Sequence, residues 1–275
     1  MRAANRFFSG GGIVGTMLVA GVAIAALLAP VAAPGDPLAL IGRPLIEPFT
    51  DWRFPLGTDR LGRDVLAELL HGARATLIVG GAAMLATLIV GIVIGTLAGF
   101  IGGTVDEALM RLADAFQSVP TFILALAFVS IAGPSLTSVV IAVSLGAWTA
   151  PARVLRAEIL SLRRREFVDA YRVLGMAPLH IAFREVLPNA LPPVITLAAV
   201  IVANAILVEA ALSFLGLGNP NSVTWGAMIA EGRAVFRSAP FLSAIPGVAI
   251  VVTVLGVNLL GDAANDAINA RQAQV

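Results

Sequence analysis

The sequence predicts an all-α integral membrane protein with six transmembrane helices and both termini on the cytoplasmic side. Three observations carry this expectation. The 275-residue chain is 58% apolar and 13% charged, about half the charged load of an average soluble domain. Six stretches stay apolar over the ~20 residues a helix needs to cross about 30 Å of hydrocarbon. The eighteen cationic side chains are all arginine, and seven of them fall between residues 153 and 189.

The spans follow in order. Gly12 to Ala33 carries no charge. Its apolar core is too long for the roughly 7–15 residues of a signal peptide, so it is expected to stay as an anchor, although Val31-Ala32-Ala33 resembles a small-residue cleavage site. Ala75 to Val105 is the second span. Ala115 to Ala152 is uncharged for 38 residues, and Gly133-Pro134 divides it into the third and fourth. Val186 to Val208 and Ser238 to Gly261 give the fifth and sixth. The run from Ala210 to Ala230 is also uncharged, but Gly216, Gly218, Asn219, Pro220, Asn221 and Ser222 make it a turn-rich loop and not a seventh span. Ahead of the second span, Val65, Leu66, Leu69 and Leu70 read as the apolar stripe of a short helix at the outer interface. Gly91, Gly95, Gly99 and Gly103 recur every four residues and offer a neighbouring helix a close approach.

Arginine placement sets the orientation. With the N-terminus inside, segments 1–11, 102–114, 153–189 and 262–275 hold eleven arginines against seven outside. The 153–189 loop decides the matter because its ends abut two spans. Within it, Leu160, Phe167, Tyr171 and Leu174 fall at helical spacing. Gly175 is placed to end that helix in the left-handed cap position. Pro178 suits the first turn of a second short helix, and Pro188 ends it before the fifth span. The loop reads as two short helices at a bend.

The order of residues there, Asp169-Ala170-Tyr171, three residues, Gly175, then Leu187-Pro188, resembles the EAA loop of ABC-importer permeases, with Asp-Ala-Tyr where Glu-Ala-Ala is usual. Three further segments resemble the dipeptide/oligopeptide/nickel permeases, in the pattern of their second, C-type subunit. They are Phe54-Pro-Leu-Gly-Thr-Asp-Arg-Leu-Gly-Arg-Asp64; Glu209-Ala-Ala-Leu-Ser-Phe-Leu-Gly-Leu-Gly218 with Trp225-Gly226-Ala227-Met228; and Asn258-Leu-Leu-Gly-Asp262.

The resemblance implies a type I ABC importer permease fold in a bacterial or archaeal inner membrane. It implies an anchor and periplasmic segment over 1–73, a permease domain over 74–263 and a short cytoplasmic tail over 264–275. The implied partners are a homologous permease, two ABC ATPase subunits, an extracytoplasmic solute-binding protein and the bilayer, with no nucleic acid. The coupling residues would be Glu166, Asp169, Ala170, Tyr171, Gly175, Met176, Pro178, Leu187 and Pro188. ATP and magnesium would sit on the ATPases, since a phosphate-binding P-loop needs a lysine and this chain has none. Di- or oligopeptides head the implied solutes, with nickel or glutathione-like compounds behind.

No catalytic, cofactor or metal-binding residue is expected on the chain itself. Cysteine is absent, and His71 and His180 fall on opposite sides of the expected membrane. Gln117, Asn204 and Asn258 are the strongest polar groups inside spans, and they line a wet path or bond neighbouring helices. Glu209 closes the fifth span, where it either reads solute charge or pairs with Arg233 or Arg237. The competing class, an ion-coupled secondary transporter, calls for internal repeats and mid-span acids, and the sequence shows neither.

Overall fold

The computed structural model describes residues 10–272. Arg2 and Arg6, which contribute to the orientation count, lie outside the described residues, as do the last three residues of the tail. Among the described residues the regular structure is all helical apart from one isolated Thr58–Asp64 bridge. Four helices are long and apolar enough to cross a membrane, and two bent helix pairs bring the number to six if each pair is one span.

The first helix, α1 (Gly10–Ala32), packs against the last. An ordered loop over 33–64 then leads into α2 (Val65–Ile101). Asp64 caps α2 by accepting from the Leu66 amide at 2.9 Å. Burial raises the Asp64 pKa, while the amide hydrogen bonds to its carboxylate oppose that shift. Val65, Leu66, Leu69 and Leu70 therefore lie in the first turns of α2 and not in a separate interfacial helix. Val65 is fully buried, because the cap starts the helix ten residues earlier than hydropathy alone indicates.

The long uncharged run after α2 is more broken than expected. Gly133 does interrupt it, but so do two other points. α3 (Gly103–Gln117) and α4 (Thr121–Ala132) meet at an 82° bend. Pro120 disfavours helical backbone at Val119 and forces that break. α5 (Leu136–Ala147) and α6 (Thr149–Leu162) meet at 42°. Pro151 supplies no amide to the carbonyl of Ala147 and its ring crowds that carbonyl, which bends the chain there.

After α7 (Glu166–Val173) and the single turn α8 (Pro178–His180), a π-helical turn covers Ile181–Val186. It runs without a gap into α9 (Leu187–Ala190), so Pro188 does not end a helix as expected. A proline inside an α-helix leaves a carbonyl four residues back without its partner. The wider turn stands immediately ahead of that proline, with the Leu187 amide bonding the Ala182 carbonyl. Pro192 and Pro193 open α10 (Pro192–Ile195), and α11 (Leu197–Leu212) follows. The fifth span is therefore Pro192–Leu217. The turn-rich segment that follows contains α12 (Trp225–Arg233) and no seventh span, and α13 (Phe241–Gln272) completes the chain.

The glycine ladder of α2 does pack a neighbour closely, and the neighbour is α6. A Cβ on Gly95 would lie 2.6 Å from the Ala152 carbonyl oxygen, and one on Gly99 would lie 2.9 Å from the Ile159 Cβ. Gly103 stands outside this contact, at the start of α3, with nothing within 4 Å.

Candidate functional site: a capped elbow and a groove

Arginines build the base of the 153–189 loop. The Arg156 guanidinium grips the Asp106 carboxylate with two hydrogen bonds, the second at 2.7 Å, a fork geometry that fixes direction as well as distance. Arg153 pairs with Asp114. Arg163 donates to the carbonyls of Gly99 and Phe100 at 2.9 and 3.3 Å, closing the C-terminal end of α2. Three of the seven arginines thus hold α6 to α3 and α2. Sequence alone could not separate them from the rest, because their partners lie about 40 to 60 residues away.

On this base stands α7. Val168 is fully buried, and Phe167, Tyr171, Met176 and Leu187 pack around Ile159, Ile181, Ala182 and Val186. Glu166 is exposed in the first turn, where a carboxylate complements the partial positive charge of a helix N-terminus. Asp169 pairs with Arg172 one turn on, at 2.9 Å, with both groups well exposed. Such a pair contributes little stability. Tyr171 is partly buried and packs against the cluster around Ile159 and Ile181. Its ring meets Phe167 edge-on at 6.4 Å, and interaction with the Glu185 carboxylate raises the phenol pKa.

The helix ends as the sequence indicates. Gly175 has φ of +76°, its amide bonds the Arg172 carbonyl, and the Met176 amide reaches back to the Tyr171 carbonyl. This is the paired hydrogen-bond pattern of a Schellman cap. Beyond it, Pro178 opens the next turn and is exposed. Ala170, Gly175 and Pro188 are also exposed. At the tip, Val173 and Leu174 are 87% and 75% exposed. Leu174, one of the residues at helical spacing, and its neighbour Val173 together form an outward apolar edge.

The polar span residues divide. Gln117 and Asn204 open onto one groove of about 380 Å³, along with Thr121, Thr149, Val143 and Val200. The groove sits where the α3–α4 and α5–α6 breaks meet, and non-helical backbone at membrane depth is tolerated where it lines a cavity. Glu209 and Asn258 are not among its lining residues. Asn258 is half-buried in α13. Glu209 is 2% exposed and accepts from Ser213 Oγ at 2.7 Å, and Ser213 lies 3.5 Å from the Thr224 hydroxyl that caps α12. Neither Arg233 nor Arg237 pairs with it: Arg233 stacks over Phe214 at 4.8 Å, and no ion pair of Arg237 occurs among the described residues. His71 Nε2 donates to the Ala33 carbonyl at 3.0 Å, a structural tie between α1 and α2.

Membrane-length helices, a largely apolar groove onto which Gln117 and Asn204 open, and a braced, capped elbow describe a multi-pass membrane protein. Comparison with known proteins says which kind. Residues 91–274 match the family described as "Binding-protein-dependent transport system inner membrane component". The chain is 38% identical over 268 residues to the "Di/tripeptide transport system permease protein DppC" of Pseudomonas aeruginosa (strain UCBPP-PA14), covering 95% of this chain and 88% of that protein. It is 38% identical over 216 residues to the "Dipeptide transport system permease protein DppC" of Alkalihalophilus pseudofirmus, covering 78% and 71%. In fold it is similar to a chain of the inward-facing MetNI methionine ABC transporter, with a TM-score of 0.57 at 19% identity over 73% of this chain and 96% of that one.

The chain belongs to the binding-protein-dependent transport system inner membrane component family. It is a multi-pass permease subunit, and its work is transport and not the making or breaking of covalent bonds.

Proposed function

We propose that this chain is one of two permeases in an ABC importer of di- or oligopeptides, and that α7 is where partner ATPases grip it. The observation that carries this reading is the exposed Val173–Leu174 edge on a helix whose other face is packed and whose end is capped. An apolar edge on a rigid support suits a protein groove. A disordered loop could not pass on a displacement, whereas this one is continuous with α6 through packed side chains.

In the mechanism, ATP on the partner subunits brings them together, and the α7 elbows move with them. Each elbow levers α6, which is locked to α2 by the glycine ladder and to α3 by Arg156 and Asp106. The groove carrying Gln117 and Asn204 lies at the flexed ends of the bent helices, so the same motion reshapes it. Coupling requires the two permease states to differ in their contacts with the ATPase. The uncharged lining suits varied solutes and leaves selection to an extracytoplasmic binding protein. The relatives' names support peptides ahead of nickel or glutathione-like solutes, and support this reading over an ion-coupled carrier.

The orientation goes with this assignment: the elbow and both termini face the cytoplasm of a bacterial or archaeal cell, across its inner membrane. Residues 1–73 form the anchor and periplasmic segment, 74–263 the permease domain, and 264–275 the tail. Val173→Glu together with Leu174→Glu tests the proposal. Both side chains are exposed, so the bundle should still insert and purify. ATPase co-purification should fall at least tenfold, and peptide uptake into ATP-loaded proteoliposomes should fall with it. Unchanged association would overturn the docking assignment.

A further inference from the structure

The transport mechanism leaves one motif without a task, the Phe54–Asp64 segment that closes the loop over 33–64. Its residues build a frame. The Ile41 and Gly42 amides both donate to the Gly62 carbonyl, the Leu45 amide to the Asp59 carbonyl, and the Thr58 amide to the Ile46 carbonyl. Gly57 and Gly62 permit these close approaches, since a Cβ on either would lie 2.2 Å from a carbonyl oxygen. Asp59 Oδ1 accepts from the Leu61 and Arg63 amides at 2.8 Å each, which fixes the turn between them. The Gly57 carbonyl accepts from the Val65 amide and so ties the frame to the first residue of α2.

The frame does not cover the apolar side chains it carries. Leu40, Ile41 and Leu61 are exposed around Gly62, and Phe49 and Trp52 are 70% and 82% exposed. Phe49 also has φ of +64° and Leu45 has φ of +59°, a left-handed backbone that costs any residue but glycine. A bulky residue stays there only where its surroundings over-determine it, and such positions gather at clamps and binding surfaces. Phe49 is thus held against its backbone preference and against its preference for burial at once. Arg43 and Arg60 flank the Leu61 group, both exposed, and neither makes an ion pair among the described residues. Arg60 also lines a shallow depression of about 480 Å³ with Leu215 and Arg233, which carries the surface onto the loop after α11.

We infer that this surface of the 33–64 loop is the seat of the extracytoplasmic binding protein, with Phe49, Trp52 and Leu61 as its anchors. The inference rests on the importer reading and its topology. Lipid does not reach the frame. α2 has 37 residues, about 55 Å at 1.5 Å per residue, against ~30 Å of hydrocarbon. Its apolar stretch begins at Ala75, and Glu68, His71 and Arg74 precede it, so the excess lies at the outer end. The frame joins at Val65, about 15 Å beyond that boundary, whereas the headgroup layer adds only ~5–8 Å a side. A soluble protein suits both the area and the chemistry. Trp52 and Phe49 each offer roughly 150 Å² or more, and with Leu40, Ile41 and Leu61 they approach the ~800 Å² per partner of a standard interface. Buried tryptophan and arginine dominate such contacts, and Arg43 and Arg60 call for carboxylates on the partner. A family described as binding-protein-dependent needs such a seat on its outer face.

The test uses the whole importer, this chain with its second permease and ATPases, in lipid nanodiscs. It is titrated with the purified, solute-loaded binding protein of the same system. In the parent, ATPase activity should rise saturably with binding protein. Trp52→Ala and Phe49→Gly should each raise the half-maximal concentration at least tenfold, and Arg60→Glu severalfold. Glycine takes the left-handed backbone freely, so Phe49→Gly should melt no lower than the parent. A ring that merely supported the fold would lower the melting point, and that result would count against the seat. Trp52 emission, read as the difference between parent and Trp52→Phe, should shift on adding binding protein and ignore brominated lipid. Quenching by brominated lipid would reveal a membrane contact, and loss of the second permease from purified Trp52→Ala a permease contact; either overturns the proposal. Unchanged half-maximal concentrations in Trp52→Ala and Phe49→Gly remove the seat and leave the importer reading standing. A parent complex that ignores the binding protein removes both.

Discussion

Gly175→Pro should insert and purify normally yet lose nearly all ATP-driven uptake, by at least tenfold. The native residue has φ of +76°, whereas proline is held near −65°. Proline would also delete the amide that bonds Arg172 and so unmake half of the cap. Nothing lies within 4 Å of the position a Cβ would take, so the effect is one of backbone direction and not of crowding. The tip with Val173 and Leu174 would then leave its support while the bundle remains intact. Gly175→Ala meets only the left-handed strain of about 1–2 kcal/mol and should fall between. Measuring uptake and detergent-extracted monodisperse protein side by side separates these cases. Uptake by Gly175→Pro at the parent rate would remove the cap from the mechanism.

Gly95→Leu should act in the opposite manner, on folding first. A single added carbon would meet the Ala152 carbonyl at 2.6 Å, well inside contact. Overpacking of this kind costs about 1–3 kcal/mol, and here the neighbour is helix backbone that cannot swing aside. Small residues at a membrane helix contact exist to permit that approach. The yield of monodisperse protein should drop severalfold and its melting point fall by several degrees. Gly81→Leu is the matched control, because it lies in the same helix with nothing within 4 Å of its Cβ position. Equal behaviour of the two variants would show that the α2–α6 contact is not tight.

Composition and periodicity made the spans and the elbow readable because both rest on local chemistry. Apolar length specifies a crossing, and Gly175 specifies a cap within its own four residues. The outer loop motif was readable as a pattern but not as a set of contacts. Only the structure shows Thr58 donating to the Arg43 carbonyl and accepting from the Ile46 amide. Hydropathy failed wherever a break carries no charge. Residues 115–152 look uniform on that scale, although Pro120 and Pro151 were visible and mark both bends. Long-range pairings were out of reach altogether: Arg63 and Glu231 are 168 residues apart, and Glu209 turned inward to Ser213, away from both candidate arginines.

The two short helices α4 and α5 have a consequence for how the chain is made. Each has 12 residues, or about 18 Å of helix at 1.5 Å per residue. Neither reaches across ~30 Å of hydrocarbon unaided. A ribosome feeding the membrane one segment at a time would find no stable resting place for either alone. They pack on each other, and α5 packs on α2, so the earlier-inserted α2 is a template on which the hairpin can settle. Biogenesis of this subunit is thus ordered by geometry: damage to α2 would strand segments whose own sequences are unaltered.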